Sequence, residues 1–112
     1  MACGLICRRT GDTVVVQASG EVDMYTAPDL AAALRAVCGP GPLVIDLSGI
    51  RFLSAAGLTS LLTTRWYCRE QQLTLRVVAT QRSVLRPLRI TGLDTLFDIT
   101  PTLDEATQPH GA

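Results

Sequence analysis

Residues 43–62 read LVIDLSGIRFLSAAGLTSLL. The first five, LVIDL, form a continuous apolar run broken only by Asp46, which predicts a central strand buried on both faces. SGIRFLS, residues 48–54, then reads as a connection into a helix from about Ala55 to Gln71. Leu58, Leu61, Leu62 and Cys68 recur at helical spacing and predict its buried stripe, with Arg65, Arg69 and Glu70 on the solvent side. Ser54 stands where a helix N-cap is wanted. Two plain alanines, Ala55 and Ala56, occupy the junction, a place where a hydroxyl or a backbone donor often meets a partner.

The same logic extends outward in both directions. LICRR and TVVVQAS read as two strands joined by a turn at TGD, and the consecutive Val14, Val15 and Val16 suit a strand covered on both sides. After GEVDMY, Thr26 is a predicted N-cap, with Pro28 tolerated in the first turn. Leu30, Leu34, Val37 and Cys38 make that helix apolar on one face until GPGP, residues 39–42, stops it. Downstream, LTLRVVA (73–79) reads as a parallel strand, followed by a helix over about Gln81 to Ile90, capped by Thr80 and kinked or broken at Pro87. LFDI supplies a last short strand. TLDE, Thr102 to Glu105, is a capping-box pattern that opens a terminal helix, cut short by Pro109 and Gly111. The order β-β-α-β-α-β-α-β-α predicts a single α/β domain over residues 1–112, frayed after about residue 108. Its sheet is mixed but mostly parallel, with helices packed on it and right-handed crossovers.

Composition narrows the function. The chain has 112 residues, 47% hydrophobic and 18% charged, which suits one folded domain. Ten basic and ten acidic residues cancel, every cation is an arginine, and no face is basic by clustering, so nucleic-acid binding is not expected. The N-terminus does not read as a signal peptide, and no run approaches the roughly 20 apolar residues of a membrane span. A cytoplasmic protein is the expectation.

The residues also argue against catalysis. The single histidine, His110, lies two residues from the end, so neither histidine acid–base chemistry nor a Cys–His dyad is built in. With no lysine a Walker motif is impossible, and GxGxxG is absent. Glu21, Asp23 and Asp46 are candidate carboxylates but form no constellation. The four cysteines, Cys3, Cys7, Cys38 and Cys68, lack the close pairing of a zinc site, so no metal or cofactor is expected. Whether any of them form a redox-sensitive disulfide is not legible from spacing.

Three segments in order resemble the STAS domains of anti-sigma factor antagonists: GEVDMYTAPDL, VIDLSGIRFLSAAGLTSLL and LRITGLDTLFDITPTLDEA. The resemblance covers nearly the whole chain. It implies a bacterial regulator that binds an anti-sigma factor and frees a sigma factor for RNA polymerase. The implied partner is a serine kinase with a histidine-kinase-like ATP-binding fold, and the implied antagonist is not an enzyme. In the family motif the kinase phosphorylates a Ser or Thr just before a glycine at the start of the second helix.

Carried over, the glycine is Gly57, the following hydrophobe Leu58, the acceptor position Ala56, the residue before it Ala55, and the family's aspartate position Ser54. Asp23 matches the loop aspartate near that surface. Alanine has no oxygen to phosphorylate, so the implied switch is missing at Ala56. Ser54, Thr59 and Ser48 are the nearest substitute hydroxyls, with Ser54 expected to cap the helix and Ser48 to support the turn after the strand. A cysteine switch is a second substitute. The expected partner surface is Asp23, Met24 and Tyr25 with Ser54, Ala55, Ala56, Gly57, Leu58 and Thr59, on a monomer or weak dimer. A STAS scaffold or a small-ligand sensor, with its ligand near Asp23 and Asp46, stays open beside it.

Overall fold

The computed structural model describes residues 3–37, 39 and 41–108. Strands β1 (Cys3–Thr10) and β2 (Thr13–Val22) lead into helix α1 (Ala27–Val37). Strand β3 (Leu43–Leu53), helix α2 (Ala55–Glu70), strand β4 (Leu75–Val78) and helix α3 (Arg82–Ile90) follow. A 3-10 turn (Leu93–Leu96), strand β5 (Asp98–Thr100) and helix α4 (Leu103–Ala106) close the domain. The five strands lie side by side in sequence order, with β1 antiparallel to β2 and the remaining pairs parallel. The α/β class, the mixed sheet and the element order match the expectation.

The three consecutive valines of β2 explain the layering. Val14 and Val16 enter the large core with Leu30, Leu34, Ile45, Leu61 and Leu88, beneath the helices. Val15 faces the opposite side, where it packs with Val44, Val78 and Ala106 under α4. A residue run buried on both sides of a sheet must read as continuous hydrophobicity, as it does here.

Several local readings change. SGIRFLS is not a connector: β3 continues through it to Leu53, because β2 also runs on to Val22 and offers it pairing partners. The ladder slips twice, between Gln17 and Ser19 and between Gly20 and Glu21, and Gly20 supplies the positive φ of 95° at the second slip. These bulges scramble the alternation that would have betrayed a strand.

Helix α3 runs unbroken through Pro87. The bond its missing N–H gives up would go to Ser83, in the first turn of a nine-residue helix, so one ladder bond is lost. Its N-cap is Gln81 and not Thr80; the Gln81 Nε2 donates to the carbonyls of Leu47 (2.6 Å) and Ile50 (2.9 Å) instead. Thr102 does cap α4, accepting from the Glu105 amide at 3.2 Å.

Arg76 lies within the predicted strand LTLRVVA and was not singled out there. It is buried, ion-pairs with Asp98 (3.4 Å), and donates to the carbonyls of Glu105, Ala106 and Gln108 at the end of α4. A guanidinium is a fitting cap for helix C-terminal carbonyls. The expected fraying of 109–112 and the placement of Cys38 lie outside the described residues.

Candidate functional site

The end of β3 and the loop after β2 build one tip of the domain. Glu21 pairs with Phe52 and Val22 with Leu53 in the ladder, and the Ser54 amide donates to the Val22 carbonyl at 2.8 Å. Asp23, Met24 and Tyr25 therefore follow directly on the residue that Ser54 bonds, beside the first turn of α2.

The loop is held by its aspartate. Asp23 Oδ1 accepts from the amides of Tyr25 (2.8 Å) and Thr26 (2.9 Å) and from the Thr26 hydroxyl (3.2 Å). Thr26 precedes α1 as predicted, but its hydroxyl faces back into this loop. It donates to the Glu21 carbonyl at 2.9 Å and accepts from the Asp23 amide at 2.9 Å. Met24 and Tyr25 are pushed outward by this turn and are 68% and 82% exposed.

The amide of Thr26, opposed by partial burial and helped by Tyr25, holds the Asp23 carboxyl below its ordinary value of 3.8. Its folded pKa being the lower one, its contribution to stability is present above the ordinary value and lost as pH falls through the depressed one. Carboxyl NMR should find Asp23 titrating below 3.8, with the Tyr25 and Thr26 amides losing protection in the same acid range. Titration at or above 3.8 would contradict the loop's bonding.

The start of α2 is built as predicted in one respect and differs in another. Ser54, in extended conformation, caps the helix by accepting from the Gly57 amide at 3.3 Å. Ala55 and Thr59 are exposed and Ala56 is half-buried. Gly57 and Leu58, expected in the partner surface, are buried. A Cβ on Gly57 would come within 2.5 Å of Leu53 Cδ1 and 2.8 Å of Val22 Cγ1, so glycine lets α2 lie directly on the strand ends. Leu58 joins the core. These two support the surface from below.

The other hydroxyls have local duties. Thr59 Oγ1 donates to the Ala55 carbonyl at 3.1 Å but remains exposed. Ser48 lies within β3, and its amide, not its hydroxyl, makes the local bond, to Asp46 Oδ1 at 3.0 Å. Ser60, passed over in the sequence, is buried and donates to the Ala27 and Ala56 carbonyls, both at 3.2 Å, tying α1 to α2 beside the tip. Phe52 was missed because its segment read as a connector; it is 47% exposed and adds a third apolar side chain to the tip.

Asp46 is buried mid-β3, where it also accepts from Gln17 Nε2 at 3.2 Å. Neither the cavity of about 310 Å³ (lined by Asp12, Thr74 and Arg76 among others) nor that of about 440 Å³ (Thr80, Arg89 and Asp94 among others) is lined by Asp23 or Asp46.

Cys3 and Cys7 sit four residues apart on β1, about 13 Å in an extended strand, so they cannot bridge to one another. Burial raises the Cys3 thiol pKa, reinforced by the Asp29 and Glu21 carboxylates. Cys7 is exposed, Cys68 is buried in α2, and none of the three is in a disulfide. Among the described residues no cluster of His, Cys, Asp or Glu forms a metal site, and no helix is long and apolar enough to cross a membrane.

The family model for the STAS domain matches residues 5–106. The chain is 37% identical over 94 residues to the anti-sigma-F factor antagonist RsfB of Mycobacterium tuberculosis, covering 82% of this chain and 76% of that one. It is also similar to the crystal structure of an anti-sigma factor antagonist from Mycobacterium paratuberculosis, with 38% identity, a TM-score of 0.81, and coverage of 94% and 91%. The phosphorylated form of SpoIIAA, a Bacillus cell fate determinant, shares the fold at 15% identity and TM-score 0.69, over 92% of this chain and 96% of that one. With its strand order, its β3–α2 tip and a family match over nearly its whole length, the chain belongs to the STAS domain family, in the company of the anti-sigma factor antagonists.

Proposed function

We propose that this protein is an anti-sigma factor antagonist. It binds an anti-sigma factor of the histidine-kinase-like ATPase fold through the β3–α2 tip and frees the sigma factor that the anti-sigma factor holds. The observation that carries this reading is the tip itself: exposed Met24 and Tyr25 in the loop after β2 adjoin a helix start of small residues, and exposed Phe52 lies at the end of β3. Interface centres are rich in aromatic residues and methionine, as this patch is, with Asp23 and the Arg51–Glu21 ion pair (2.8 Å) at its border. The role named for the 37%-identical relative supports the same partner class.

Ala56 makes the antagonist constitutive. A phosphoryl group on this first turn would add about −1.5 to −2 charges at a helix N-terminus, which favours anions. Facing a docked apolar surface, that charge would have to be desolvated and the complex would dissociate. With a methyl group at Ala56, the partner has no hydroxyl there to phosphorylate.

The test incubates the purified host anti-sigma factor with ATP and either wild type or Ala56→Ser. Wild type should stay unmodified and bound, whereas the serine variant gains one phosphate and is released. Stoichiometric phosphorylation of wild type at Thr59, Ser54 or Ser48 would overturn the constitutive reading.

A further inference from the structure

Trp66 is the one tryptophan of the chain, and it stands 65% exposed on α2. A large aromatic ring left in water on a small domain costs hydrophobic free energy that a partner can recover. Its position on the helix is informative. From Ala55 to Trp66 is eleven residues, about three turns, which returns the helix to within about 20° of the same face and about 16 Å further along.

Between them on that face lie the exposed Thr59 and Thr63 and the half-buried Leu62, which packs on the core, so the outer face of α2 from the tip to the tryptophan carries no charge. The first charges along it are Arg69 and Glu70, both exposed, in the last turn. The flanks are fixed by packing. On one side Thr63, Thr64 and Tyr67 border α1 at Ala31 and Arg35. On the other, Arg65 Nε donates to the Leu96 carbonyl at 2.7 Å, which turns that guanidinium aside and leaves the half-exposed Leu96 beside that face.

We infer that the anti-sigma factor that docks at the tip also covers the outer face of α2, with Trp66 as its anchor in an uncharged apolar pocket of that partner. The inference rests on the antagonist reading. Continuity selects the occupant: the uncharged face starts at Ala55 inside the tip surface and ends on the aromatic ring. A patch of about 800 Å² per partner, the usual size, spans this length with room for both ends. Like an interface core it carries no charge and holds a large aromatic ring, with Arg69 and Glu70 as its rim. Tryptophan is among the residues most often found as interface hot spots when a partner buries it.

Because Trp66 is the only tryptophan, its fluorescence reports its own burial. The experiment titrates the purified host anti-sigma factor of the histidine-kinase-like fold, in a tryptophan-free form, into wild type, Trp66→Ala and Ala56→Arg. Wild type should show a blue shift and protection from acrylamide quenching on binding. Trp66→Ala should bind about 30-fold or more weakly with an unchanged melting temperature, since the ring packs on little in the free domain. Trp66→Phe should recover part of the loss.

If Ala56→Arg abolishes binding while Trp66→Ala binds like wild type and the ring stays quenchable, the anchor is overturned and the antagonist reading stands. If Trp66→Ala loses binding while Ala56→Arg keeps it, the anchor stands and the tip is wrong. A wild type that does not bind at all overturns both. A blue shift that grows with concentration in the protein alone would mean that a second copy covers the ring, which also overturns the inference.

Discussion

Gly57→Val should destabilise the domain by about 3 kcal/mol, the upper range for forcing volume into a packed core. The melting temperature should fall by on the order of 10 °C for a chain of this size. The first Cβ alone would sit 2.5 Å from Leu53 Cδ1 and 2.8 Å from Val22 Cγ1. Leu53 can swing its terminal methyl, but Val22 is β-branched, 0% exposed and set in the β2–β3 ladder. Valine adds two further methyls to that contact.

Opposing this is the helix-propensity gain of any residue over glycine, at most about 1 kcal/mol and less for a β-branched side chain. Overpacking therefore wins. Thermal melts of the two proteins decide the sign: a variant as stable as wild type would mean that α2 does not rest on the strand ends as described. The consequence for function is positional, since α2 carries Ala55, Ala56 and Thr59 at the height Gly57 allows.

Ala56→Arg should weaken anti-sigma factor binding by more than about 100-fold, the scale of losing a central hot spot. It places a long cation where the partner meets small and apolar groups, and that charge must be desolvated in the complex without a partner. The fold should survive. Ala56 is half-buried, so the stem of an arginine can lie along the surface and leave its head in water. The cost to the fold combines an unfavourable cation at the helix N-terminus, about 0.3–1 kcal/mol, with the loss of part of the packing Ala56 makes on the core. Ala55→Arg, one residue earlier and exposed, should lose binding in the same way while leaving the packing untouched. Unchanged binding by both folded variants would remove the tip from the interface.

The sequence carried most of the architecture because its signals were local. The apolar run at 43–47, the Ser54 cap and the Thr102 capping pattern each depend on a few neighbouring residues, and each appears where expected. What was lost depended on distant partners. Residues 48–53 look like a loop because two bulges break their alternation, and only the extra length of β2 makes them a strand. Phe52 was hidden with them. Arg76 looks like a surface residue until α4 brings three carbonyls over β4.

The candidate site was legible through its motif, but its depth was not. Gly57 and Leu58 fall within the motif yet face inward, because a helix start lying flat on strand ends presents only some of its residues. Trp66 shares a face with Ala55 through helical periodicity alone, yet its exposure had to be seen.

The central claim is that the tip of this domain displaces a sigma factor from its anti-sigma factor without a phosphorylation switch. The direct measurement adds the protein, with and without ATP, to a preformed complex of the host anti-sigma factor and its sigma factor, and follows free sigma factor by size-exclusion chromatography. Wild type should release the sigma factor equally under both conditions, and Ala56→Arg should release none. A complex that stays intact at saturating wild-type protein, or release that ATP abolishes, would contradict the account.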